Sequence, residues 1–126
     1  MNGVLVDTSV WVDHFRRENQ GLVYLLERDR VMVHPMVLGE LACGTPPNRA
    51  RILVDLDNLQ HSQQASLKET LDFVESEKLY GSGCGLIDML LLASTMMTPQ
   101  AELWTLDKRL SALAERFGVM HRSATH

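Results

Sequence analysis

The stretch GVLVDTSVWVDHFRR, residues 3–17, decides the fold of this chain. Residues 3–6 are a short, β-branched-rich apolar run with the composition of a strand. Beyond them Val10, Trp11, His14 and Phe15 fall at helical spacing. A strand that passes straight into a helix, with Asp7 at the junction, opens an α/β fold.

The alternation continues outward from there. Leu22, Leu25 and Leu26 suggest a second helix, residues 31–33 a strand, and Pro35 starts a helix carrying Met36, Val37, Leu38, Leu41 and Ala42 that Gly44 ends. Thr45 ahead of Pro46 and Pro47 reads as a capped helix start, with Ile52, Leu53, Leu56 and Leu59 sharing one face. Leu67, Leu71 and Val74 mark another amphipathic helix before the glycine-rich turn at 81–85. Residues 86–97 are apolar nearly all round, the pattern of a helix buried inside a domain. Residues 102–106 read as a strand; Leu110, Leu113 and Phe117 read as a helix stopped by Gly118, with Val119 and Met120 as a last short strand. One α/β domain over residues 1–126 is expected, with a parallel sheet and helices on both faces.

A chain of 126 residues has the size of one domain. With 45% hydrophobic and 22% charged residues it belongs with ordinary globular proteins rather than disordered ones. The net charge of −4 excludes nucleic-acid binding through a broad basic surface, so any such contact must be local or carried by metal. Cys43 and Cys84 lack zinc-like spacing and read as buried thiols, in keeping with a reducing cytoplasm. The start of the chain has no charged region and cleavage site of a signal peptide, and the longest apolar stretch, 85–97, is interrupted by Asp88 and too short to span a bilayer. A cytoplasmic protein without membrane contact is expected.

Of the 16 acidic residues, most sit where a solvated face puts them, as with Glu69, Asp72, Glu75 and Glu77. Four do not: Asp7 and Asp107 each follow a strand-like run, Glu40 lies inside an apolar helix, and Asp88 lies in the first turn of the buried one. Burying an ionised carboxylate without a partner costs several kcal/mol, so each requires a reason. Helix capping accounts for Asp7, Asp88 and Asp107 one at a time. Glu40 resists that account, leaving a buried salt bridge to an arginine as its ordinary explanation. A second reading takes all four together. Sites in parallel α/β sheets form outside the carboxyl ends of strands, and four carboxylates there require a cation to neutralise them. Oxygen-only ligands select Mg²⁺ or Mn²⁺, one or two ions, and such a centre hydrolyses phosphodiesters. Ser9 and Thr105, each two residues from an Asp, read either as orienting hydroxyls or as an ordinary cap and strand residue. The five histidines are scattered and read as structural or surface residues.

The segments VLVDTSVWVDHFR, VHPMVLGELACG, GSGCGLIDMLLLAS and LWTLDKRL, in this order and spacing, resemble the PIN-domain family and within it the VapC-type toxins. The resemblance implies that Asp7, Glu40, Asp88 and Asp107 form the acidic metal quartet, supported by Ser9 and Thr105. It also implies a five-stranded parallel sheet, Mg²⁺- or Mn²⁺-dependent cleavage of RNA, a homodimer, and a small antitoxin that blocks the site. Some relatives carry a further Asp shortly after the position of Asp107, where this chain has Lys108, Arg109 and Ser111. Arg16, Arg17, Arg49, Arg51, Lys108 and Arg109 are the candidate phosphate contacts, each equally readable as a solvated surface charge.

Two other readings compete. A phosphoacceptor receiver domain has a similar length and fold, with Asp55 as its mid-chain acceptor and Lys108 as its late lysine. It leaves Glu40 and Asp88 unexplained, and Ile52, Leu53, Leu56 and Leu59 fit a helix better than the strand it needs. A PIN domain that only binds is the other reading, and it normally shows itself by loss of ligand residues; here all four acids are present.

Overall fold

The structure, a computed structural model, describes residues 2–123. The chain runs β1 (Val4–Val6), α1 (Thr8–Arg16), α2 (Gln20–Glu27), β2 (Val31–Val33), α3 (Pro35–Ala42), α4 (Arg49–Asp57), β3 (Gln60–His61), α5 (Leu67–Ser76), α6 (Leu86–Met97), β4 (Glu102–Trp104) and α7 (Lys108–Arg116). The four strands form one parallel sheet in the order β3-β2-β1-β4. The expectation of about five strands is met by these four and one isolated parallel bridge, Leu103 to Met120, where the last strand was expected.

The centre of the sheet is buried because β1 and β2 are apolar at every position. All residues of β1 and β2 are buried, as a strand covered on both faces requires. The core gathers these strands with Val10 and Trp11 of α1, Leu91 and Leu92 of α6, and Leu110 of α7. Every residue from Met89 to Thr95 in α6 is buried, as its all-round apolar pattern predicts. Among the described residues no helix is long and apolar enough to cross a membrane.

Three local expectations are corrected. Helix α4 begins at Arg49 rather than at Thr45, its N-cap Asn48 standing at φ 49°. Two consecutive prolines explain this, since each disfavours the helical conformation of the residue before it. In α5 Leu67 and Leu71 are exposed, whereas Thr70 is buried and Phe73 and Val74 pack on the core. Cys43 is exposed at the end of α3 and Cys84 is half-buried; both are free thiols.

Candidate active site

Strands β1 and β4 lie side by side, Val6 opposite Trp104. The later strands β2 and β3 extend to one side of β1 and β4 stands on the other, so the chain order reverses between β1 and β4. Crevices at such reversals, beyond the carboxyl ends of the strands, are where α/β proteins bind ligands. Asp7 leaves β1 there, its N–H donating to the Trp104 carbonyl at 2.9 Å, and the residue is only 6% exposed.

The Asp7 carboxylate is held by hydroxyls. Ser9 Oγ donates to Oδ2 at 2.7 Å and Thr105 Oγ1 donates to the same oxygen at 2.8 Å. Each hydroxyl has a single proton, so with both committed to Asp7 the 3.3 Å approach of Ser9 to Thr105 carries none. Their lone pairs accept in turn: Ser9 Oγ from the Leu106 N–H and Thr105 Oγ1 from the Asp107 N–H, both at 3.0 Å. Asp7 is thereby tied to the segment that carries Asp107.

The other three acids converge from separate helices. Asp107 is the N-cap of α7, its Oδ1 accepting from the N–H groups of Arg109 and Leu110 at 2.9 and 3.0 Å. Asp88, in the first turn of α6, accepts from the Gly85 N–H through Oδ2 at 3.3 Å. Glu40 on α3 accepts from Thr8 Oγ1 through Oε1 at 2.7 Å. Capping is therefore real at Asp107 and Asp88 and absent at Asp7, whose side chain accepts from no backbone N–H of its helix among the described residues. Glu40 is exposed and forms no salt bridge, which corrects the expectation of a buried acid. Val37 and Leu41 face the core from α3, and Glu40 lies off that face.

Electrostatically the four acids form one group. Burial pushes the Asp88 carboxyl above its ordinary value of 3.8; the charges of Asp7, Asp107 and Glu40 add to the rise, and the Gly85 N–H opposes it. A single pattern runs through the set. Among the described residues one oxygen of each acid accepts every hydrogen bond, leaving Asp7 Oδ1, Glu40 Oε2, Asp88 Oδ1 and Asp107 Oδ2 without a donor. The PIN domain family matches over residues 4–116, a span that contains all four. The chain belongs to the PIN domain family. Two relatives are each named Ribonuclease VapC32, from Mycobacterium tuberculosis strains CDC 1551 / Oshkosh and ATCC 25618 / H37Rv. Each is 41% identical over 116 residues, covering 92% of this chain and 94% of the relative.

In this PIN domain the donor chemistry suits a hard divalent cation, since each acid is already oriented through one oxygen and keeps the other for a ligand. Among the described residues, no three His, Cys, Asp or Glu side chains stand close enough to enclose an ion as they are. The Cys84 thiol adjoins the acids, and burial, with the charge of Asp88, pushes it up, so it keeps its proton and offers no thiolate.

The structure separates the candidate phosphate contacts. Arg49 donates to the Ala42 carbonyl at 2.7 and 3.2 Å, closing the end of α3, and Arg51 pairs with Asp55 at 3.3 Å. Arg109 lies over Gly83, where a Cβ would come within 2.7 Å of its Cδ. Gly83 also stands at φ 89°, so this is a position where only glycine is comfortable. Arg16, Arg17 and Lys108 are exposed, and their side chains make no hydrogen bond or ion pair among the described residues. Asp55 lies on helix α4 and not at a strand end, which removes the receiver-domain reading. The residue missed by sequence reasoning is Thr8, which holds Glu40; its place inside the same DTS tripeptide as Asp7 and Ser9 was the available signal.

Proposed function

We propose that this chain is a divalent-metal-dependent endoribonuclease, the toxin half of a toxin–antitoxin pair. Its site is Asp7, Glu40, Asp88 and Asp107, with Ser9 and Thr105 as supporting hydroxyls. The observation that carries the reading is the set of four carboxylates around one strand-end crevice, each fixed through one oxygen and free at the other. The relatives named as ribonucleases, similar along nearly their whole length, support the substrate class.

Mg²⁺ or Mn²⁺, one or two ions held by these acids, supplies the polarisation of a phosphodiester and the activation of water that carboxylates alone lack. The protein's own part is orientation. Ser9 and Thr105 fix Asp7, their acceptance from Leu106 and Asp107 fixes the β4–α7 segment, and the α7 cap holds Asp107 through Oδ1. Thr8 does the same for Glu40. The cytoplasm is the expected compartment, a homodimer the expected assembly, and a small antitoxin covering the crevice the expected partner.

Purified protein should cut RNA with Mg²⁺ or Mn²⁺ and stop in excess EDTA. Asp7→Asn and Asp88→Asn should abolish cutting with the fold intact by circular dichroism. Full activity in EDTA, or wild-type rates in both variants, refutes the site. Expressed alone in a bacterial host, the chain should arrest growth and Glu40→Gln should relieve the arrest. A strictly monomeric mass by light scattering at micromolar concentration would remove the homodimer.

A further inference from the structure

Beside the acids a groove runs between α1 and α3. Its α1 wall is Thr8, Val12, Phe15 and Arg16, one helical face; Glu40 and Leu41 come from α3, and Pro46 and Pro47 close the far side. Its volume is about 380 Å³, less than one turn of a helix with its side chains occupies. The inner end is the Thr8–Glu40 pair, so the groove is continuous with the carboxylate crevice. Its outer end is Arg16, about 12 Å further along α1 at 1.5 Å per residue. That cation makes no hydrogen bond or ion pair among the described residues. Phe15 is set in place by stacking on Trp11, ring centroids 6.1 Å apart and 29° between planes. Both walls are helix and proline-held loop, which offer no strand edge for an extended peptide.

We propose that this groove seats the nucleotide next to the scissile phosphate of a single-stranded RNA, its base among Val12, Phe15, Leu41 and Pro46 and its outer phosphate on Arg16. The assignment rests on the ribonuclease reading and deepens it, since it makes the groove the place where the base beside the cut is selected. A flat ring gains from apolar walls whatever its identity, and the fixed edge of Phe15 and the rigid prolines bias which ring fits. The net charge of −4 leaves little general attraction for RNA, so one cation in the groove without an ion pair among the described residues matters more here than on a basic protein.

The test uses the full chain and a short single-stranded RNA in excess EDTA, where cutting stops, with its bases intact or removed at every position. Parent protein should bind the intact strand about tenfold tighter than the abasic one. Val12→Trp, which fills the groove from a partly exposed position, should bind both equally weakly. Arg16→Gln should flatten the dependence of log affinity on log salt by roughly 0.7. Equal discrimination by the parent and Val12→Trp overturns the assignment, as does an unchanged salt slope in Arg16→Gln. If Val12→Trp instead loses only inhibition by a protein partner, the groove is a peptide seat and the assignment falls. A parent that binds RNA as described but never cuts it refutes the ribonuclease reading and not the groove.

Discussion

Thr8, in the first turn of α1, donates to Glu40 of α3 at 2.7 Å, while its neighbour Ser9 turns the other way to Asp7. Two consecutive hydroxyls thus divide between two acids that lie on different elements. Replacing Thr8 by Val removes a bond to a charged group at an exposed position, so turnover should fall about tenfold while the melting temperature barely moves. Thr8→Ser should restore the rate. A kcat unchanged in Thr8→Val, measured on a fluorogenic RNA with Mg²⁺, contradicts this role.

Asp7 has no cation beside it, only the hydroxyls of Ser9 and Thr105. Ser9→Ala and Thr105→Val should each destabilise the fold by about 1–3 kcal/mol, because each removes a donor from a buried carboxylate. Both hydroxyls bond the same oxygen, so the double variant should depart from additivity. Denaturant titration of the four proteins checks it, and a strictly additive cycle refutes the shared-oxygen account.

Asp88 predicts how metal-free protein responds to pH. Its carboxyl is raised, with burial the largest cause, so the folded state holds the proton more tightly than the unfolded state. Its contribution is therefore fully present below its ordinary value of 3.8 and is lost as pH rises through the raised value. In EDTA at neutral pH, Asp88→Asn should melt above the parent, an advantage that shrinks as pH falls toward 3.8. Mg²⁺ should stabilise the parent far more than the variant. Thermal melts across pH, with and without metal, read all of this.

His34 acts in the opposite sense. It is buried; its Nδ1 accepts from the Met36 N–H at 3.0 Å as the N-cap of α3, and its Nε2 lies 3.1 Å from Ser94 Oγ. Burial, with the charge of His61 second, lowers its pKa below 6.5. Stability from the neutral ring is full above 6.5 and is lost as pH falls through the lowered value. His34→Asn keeps a capping oxygen without a titrating group, so its melting temperature should fall less than the parent's on acidification. Identical acid profiles for the two proteins exclude His34 as the source.

The parts that could be read in the sequence were those where one physical cause acts alone. Val4–Val6 and the middle of α6, residues 89–93, are apolar because they are covered all round, and Asp7 and Asp107 stand out because an acid ends an apolar run. What stayed hidden depends on partners. Strand β3 is two exposed polar residues, Gln60 and His61, made a strand only by pairing with Met32 and Val33. The spacing of Leu67, Leu71 and Val74 identifies a helix, yet spacing cannot say which residues meet the core, and α5 turns Thr70 inward. Glu40 looked buried because its sequence neighbours are apolar; the helix turn carries it out to Thr8.

The acids occupy positions 7, 40, 88 and 107, and β4, which brings in Thr105, pairs with β1 from the other end of the chain. A chain emerging from the ribosome therefore holds Asp7 and Ser9 early, without the second hydroxyl, that of Thr105, which also fixes the carboxylate. The proposed centre closes only when β4 docks on β1 and brings Thr105 and Asp107 to Asp7. On the proposed function, catalytic power is acquired only with β4 in place, so products that stall before Thr105 should be harmless to the cell that makes them.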